Sequence, residues 1–160
     1  FNPAVSLVML LRREIGVGAA VLYFVAQIVG CVAGALIAHA MFELPLIQIA
    51  THERSGAAQM LSEGVASFAL LFCILSVSRS RPEATPGAVA LVIAAGYWWT
   101  PSTSFANPAI TIARALSDTF AGIRPANAPA FMAAQFAGAL MAWLLWDVLA
   151  APSRLLSRLR

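Results

Sequence analysis

From Ile15 to Phe42 the chain carries no Asp, Glu, Lys or Arg. A run that long is more than one soluble helix can bury, and it exceeds the ~20 apolar residues a helix needs to cross a bilayer. Within it, Gly30-x-x-x-Gly34 is the small-residue spacing that lets membrane helices approach closely. Three further apolar stretches follow. They run from about Ala57 to Ser78, interrupted by Glu63, from about Gly87 to Trp99, and from about Ala126 to Trp146. The second of these ends on Tyr97-Trp98-Trp99, the aromatic signature of a membrane interface. Composition agrees: 61% of residues are apolar and 11% charged, against about 45–50% and about 25% in soluble domains. The expectation is an all-α, multi-pass protein of the inner or plasma membrane, with four full spanning helices and the lipid bilayer as its surroundings.

All ten basic residues are Arg, placed singly or in pairs between the apolar runs. That is the pattern of membrane-flanking charges. No basic stripe with interleaved aromatics exists, so nucleic acid is not an expected partner. Cys31 and Cys73 sit inside apolar runs without metal-ligand spacing. No Ser/His/Asp or Cys/His set, HExxH or phosphate loop occurs, so no enzyme activity, metal or cofactor is predicted.

An internal repeat organises the chain. Phe1-Asn2-Pro3-Ala4-Val5-Ser6 recurs as Ala106-Asn107-Pro108-Ala109-Ile110-Thr111. Each copy leads into a span with a matching core, Val25-Ala26-Gln27-Ile28-Val29-Gly30 and Ala133-Ala134-Gln135-Phe136-Ala137-Gly138. Three spans separate the copies, so they enter the membrane from opposite faces and the repeat is inverted. The second unit covers 57–147; the first, 1–42, holds only its motif and the following span. By symmetry the chain is expected to be a piece of a six-span protein lacking the first two spans, a single channel-like domain over 1–160 with two additional half-helices. Arg12, Arg13, Arg79, Arg81, Arg154, Arg158 and Arg160 fall on one side, and Arg54, Arg114 and Arg124 on the other. The first side is therefore expected to be cytoplasmic.

Asn followed by Pro is a helix start: Asn is a favoured N-cap, and Pro suits the first helical position. Two such starts aimed at the bilayer centre each present roughly half a positive charge. Cations and protons are repelled there, while the amide groups of Asn2 and Asn107 can donate to a neutral oxygen. The non-helical residues before each Asn can offer carbonyl acceptors. The device suits passive, single-file passage of small neutral hydroxylic solutes. An ion-coupled secondary transporter is the competing reading, opposed by the presence of only one intramembrane acid, Glu63.

With these motifs in view, the whole chain resembles the major intrinsic protein family, the aquaporins and aquaglyceroporins. The resemblance implies a six-helix pore with two half-helices, one pore per subunit of a homotetramer. It places Glu63, Gln27 and Gln135 at positions of structural support. It also makes Asn2, Pro3, Ala4, Asn107, Pro108 and Ala109 the pore signature. Glu63 has a second reading, as a proton-coupling acid.

One departure from the family pattern is informative. Most members carry Arg directly after the second Asn-Pro-Ala; here that residue is Ile110, and an Arg follows only at Arg114. In a helix Arg114 lies one turn further, about 6 Å. A wider, more apolar filter is expected, favouring glycerol-like polyols over water alone. Arg114 either substitutes for the missing cation in the vestibule or pairs with Asp118 at i,i+4. Counting back from Asn107 places the other filter positions at Ala95 and Ser104, or in a shifted register at Gly96 with Thr103 or Phe105. The stretch 102–125 resembles a bacterial subgroup associated with arsenic-resistance genes, which adds neutral arsenite to the candidate solutes. A water-selective aquaporin is the alternative.

Overall fold

The structure, a computed structural model, describes the backbone of residues 1–157 and the side chains of residues 1–150. The side chains of Arg154, Arg158 and Arg160, which enter the charge-asymmetry argument, lie outside the described residues. Among the described residues there are six α-helices, α1 (Pro3–Leu11), α2 (Val17–Met41), α3 (Ala57–Ser80), α4 (Thr85–Trp99), α5 (Pro108–Arg114) and α6 (Ala128–Ser157). A 3-10 turn over Pro82–Ala84 joins α3 to α4, and no strand occurs among the described residues.

The two short helices begin as Asn-Pro dictates. Asn2 is extended, with φ −155° and ψ 120°, and its Oδ1 accepts from the Ala4 N–H at 2.9 Å. Asn107 is extended likewise, and its Oδ1 accepts from Ala109 at 3.0 Å and Ile110 at 3.4 Å. Proline then occupies the first turn, where no backbone donor is needed.

Helix α2, helix α3 and the Ala128–Ala150 part of α6 are long and apolar enough to cross a membrane. Four full spans are expected from the sequence, and α4 falls short. Its 15 residues rise about 22 Å, against a hydrocarbon core of about 30 Å. The boundary has a local cause. Pro82 and Pro86 crowd its start, and Pro101 forces Thr100 into an extended conformation that ends it.

Helices α3 and α6 form the frame. At their crossing a Cβ on Gly138 would collide with the Gly64 carbonyl, so the two backbones touch where only glycine fits. Lipid tails are as apolar as Leu, so such a contact is stabilised by close van der Waals packing rather than by transfer out of water. Half-helix α1 is seated in the same frame: Ala4 and Val8 cluster with Leu71, Leu75, Ala139 and Ala142, flanked by Phe72 and Trp146. Half-helix α5 packs between α2 and α6. Gly30 and Gly34 have no such close neighbour among the described residues. A Cβ at either would meet nothing within 4 Å, because that face of α2 is uncovered. Of the matched pair Gly30 and Gly138, Gly138 alone meets another backbone among the described residues.

Candidate functional site

The N-termini of α1 and α5 meet head to head. Asn2 Nδ2 donates to the Ala106 carbonyl at 2.6 Å, and Asn107 Nδ2 donates to the Phe1 carbonyl at 3.0 Å. Each asparagine thus caps its own helix through Oδ1 and ties the opposite segment through Nδ2. An amide NH2 carries two donors, so one N–H of each asparagine lies outside the cross-tie. Both residues line a cavity of about 410 Å3.

The segment leading into the second motif is built with unusual backbone. Thr103, Ser104 and Ala106 all have positive φ, at 60°, 47° and 46°. Non-Gly residues hold that conformation only when their surroundings fix it. Glu63, fully buried, does so from α3. Its Oε1 accepts from the Phe105 N–H at 2.9 Å, and its Oε2 from the Ala106 N–H at 2.9 Å and from Gln135 Nε2 at 2.7 Å. Charge-assisted bonds of this kind are roughly twice as strong as neutral ones. Glu63 is not among the cavity-lining residues. Gln135 Nε2 also donates to Thr111 Oγ1 at 2.9 Å, and Gln27 Nε2 donates to Ser6 Oγ at 2.9 Å, the equivalent bond of the first unit. Ser62 and Ser102 hydroxyls meet at 2.8 Å, holding the start of the same loop.

The two half-helices present matching faces to the cavity. Asn2, Val5 and Met9 line it from α1, and Asn107, Ile110 and Arg114 from α5, at the same i, i+3, i+7 spacing. Ile110 therefore takes the place of Val5, and Arg114 that of Met9. Ser104 and Phe105 also line the cavity. Ala95 and Gly96 do not. Helix α4 contributes Thr85, Val89, Ile93 and Tyr97 instead, four residues apart on one face. Ala95 is exposed, and Gly96 is buried against Ser104, whose side chain occupies the space a Cβ would need. Counting back from Asn107 loses the helical register in the left-handed stretch 103–106. Thr103 borders a smaller cleft of about 250 Å3, shared with Tyr97 and Arg114.

Arg114 does not pair with Asp118. Helix α5 ends at Arg114, so the i,i+4 spacing no longer places the two on one face. Asp118 instead accepts from the Thr51 N–H and the Thr51 hydroxyl, both at 2.8 Å, and these bonds lower its pKa. The Arg114 guanidinium lies over the Phe105 ring, 4.3 Å from its centroid.

Sequence reading missed Arg54, which the string ATHERSG presents as one more loop charge. It is 4% exposed. Its Nε donates to Gly122 O at 2.8 Å, its Nη1 to Ser102 O at 2.9 Å and its Nη2 to Phe120 O at 2.9 Å. Its guanidinium also lies over Phe105, at 4.9 Å. Burial, and then the charge of Arg114, push its pKa down; Glu63 opposes the shift. No local signal could have marked it, since all its partners lie in distant loops.

Comparison with known proteins agrees with this geometry. Residues 1–100 match the family described as major intrinsic protein. The chain is 47% identical over 154 residues to aquaglyceroporin AqpS of Rhizobium meliloti (strain 1021), covering 96% of this chain and 66% of that protein. It is 34% identical over 98 residues to aquaporin-5 of Ovis aries and, equally, of Sus scrofa, covering 58% of this chain and 37% of each. The chain thus spans less than two thirds of the length of these relatives. Three membrane-length apolar helices, an inverted pair of capped half-helices and these similarities lead to one assignment: the chain belongs to the major intrinsic protein family of multi-pass membrane channels.

Proposed function

We propose that the chain forms most of a passive channel for small uncharged solutes, glycerol-like polyols and water, with neutral arsenite in the same size class. The observation that carries this reading is the meeting of two capped helix N-termini in one cavity with Ile110, not a cation, directly after the second motif. Two positive helix ends disfavour cations and protons. The N–H of each asparagine outside the cross-tie can donate to a passing hydroxyl. Phe105 and Ala106 direct their N–H groups to Glu63, so the loop's carbonyls are the groups it has to offer a solute. Val5, Met9, Ile93 and Ile110 supply an apolar wall suited to the carbon face of a polyol. Arg114 would serve as a vestibule donor, one turn beyond the filter. The names of the relatives, aquaglyceroporin and aquaporin, support passage of small neutral molecules. The uncovered face of α2 fits a protein with further spans before residue 1, assembled as a homotetramer. The side holding the first motif is taken as cytoplasmic.

Stopped-flow light scattering on proteoliposomes holding the protein at its full natural length tests this. Wild type is expected to pass water, glycerol and neutral arsenite, and Ile110→Arg is expected to restrict passage to water. A wild type that passes water alone assigns the chain to the water-selective class and removes arsenite. Solute flux that requires a proton or sodium gradient replaces the channel with a coupled transporter.

A further inference from the structure

Arg54 is a cation buried without a carboxylate within ion-pair distance among the described residues. Buried charges are ordinarily paired, because desolvating an ion is expensive. Here three backbone carbonyls, from Ser102, Phe120 and Gly122, and the face of Phe105 stand in for an anion. Neutral donors could clasp those carbonyls at lower desolvation cost, so retention of a full charge calls for an electrostatic explanation. The location supplies one. Phe105 lines the cavity, and the Arg54 guanidinium sits one ring behind it. Arg114 lies over the same ring from α5. The residue directly after the second motif is the uncharged Ile110.

We propose that Arg54 is a positioning and specificity residue of the channel: it pins the loop that carries Ser104 and Phe105, and from behind the lining it supplies, with Arg114, the fixed positive field that position 110 lacks. A unit charge acts far more strongly through partly dry protein than through water. The pore can therefore be wide and apolar at Ile110 and still repel cations. The proposal rests on the channel reading. Its own content is that charge and width have been assigned to different residues, so that a filter residue can be exchanged for solute size without opening the pore to cations.

The test compares proton leak, read by a pH-sensitive dye trapped in proteoliposomes, with glycerol flux in the same vesicles. Arg54→Gln is expected to raise the leak-to-glycerol ratio by about tenfold, the scale of losing a unit charge about 10 Å away at an effective dielectric of about 20. Arg54→Gln combined with Ile110→Arg, which passes water alone, is expected to return the proton leak per unit of water flux to the wild-type level, because the charge is restored from another residue. A loop that had merely lost its clasp would not be rescued in this way. An unchanged ratio in Arg54→Gln, or a leak that Ile110→Arg leaves in place, overturns the proposal. Should Arg54→Gln fail to insert, Arg54→Lys decides. Lysine keeps the charge but not the three-carbonyl fork, so a wild-type ratio is expected and a tenfold rise overturns the idea. Absence of glycerol flux in wild type would reject the channel reading itself, a result separable from any of these.

Discussion

Ser6 receives its hydrogen bond from Gln27 as Thr111 does from Gln135, and among the described residues only the second pair has a carboxylate behind it. In the second unit Glu63 fastens Gln135 and the loop backbone together. In the first, Gln27 Oε1 has no partner among the described residues. The lining faces differ in the same direction. Val5 and Met9 make the first apolar, whereas Ile110 and Arg114 make the second apolar next to the motif and cationic one turn on. Glycine behaves alike: Gly138 is wedged against Gly64, while Gly30 faces open space. A repeated sequence therefore fixes the helix starts in both units, and α3, through Glu63 and Gly64, adds to the second unit contacts that no described residue gives the first. An inverted repeat can keep its geometry while one half takes on charge.

The sharpest way to break this comparison is at the glycines. Gly138→Val would force the two frame helices apart against backbone, an overpacking loss of about 3 kcal/mol or more. Its counterpart Gly30→Val in this chain is expected to change stability by less than about 0.5 kcal/mol. Thermal unfolding in detergent, followed by size-exclusion recovery, measures both, and equal losses would remove the asymmetry. Next in size is Glu63→Gln. An amide cannot accept from both backbone N–H groups and also from Gln135, so one buried donor is orphaned at about 2–3 kcal/mol. Protease nicking within 100–106 and loss of solute flux should appear together; intact flux would show that the left-handed loop holds itself. Gln27→Met removes only the single bond to Ser6 and should cost about 1 kcal/mol, visible as a small melting shift. The effect is expected to be smaller than that of Gln135→Met.

Helix starts, the repeat and the apolar runs were legible because each is local: Asn caps, Pro sets φ, and a span needs only a length of apolar chain. The support role of Glu63 was legible only through resemblance to a family, since nothing in its neighbours announces three donors arriving from 105, 106 and 135. Which face of α4 looks into the cavity was not legible, because three left-handed residues lie between that helix and Asn107 and a count across them does not fix it. The expected Arg114–Asp118 pair failed because α5 stops at Arg114, where Ala115 caps it. Arg54 was illegible altogether: its meaning lies in carbonyls, which every residue has.

The smallest expected effect is a test of the loop that backs the second unit. Asp118 has a pKa below the ordinary carboxylate range because Thr51 donates to it twice. Its contribution to stability is therefore complete above the ordinary value of about 3.9 and is lost as pH falls through the lower folded value. Melting temperature followed downward from pH 6 should show this loss in wild type. Asp118→Asn should flatten that part of the profile while shifting the neutral-pH melting point little. A profile identical to wild type would mean the Thr51 contact is not maintained in solution.

The cross-tie between the two asparagines has a consequence for biosynthesis. Asn2 and the carbonyl it holds are 104 positions apart. At roughly 5–20 residues per second, the second motif leaves the ribosome about 5–20 s after the first. Through that interval α1 has its own cap but no opposing helix, and its positive end must wait in an unfinished membrane protein. The junction of the two half-helices is therefore completed by a late event in assembly, and a chain halted before Asn107 leaves it open.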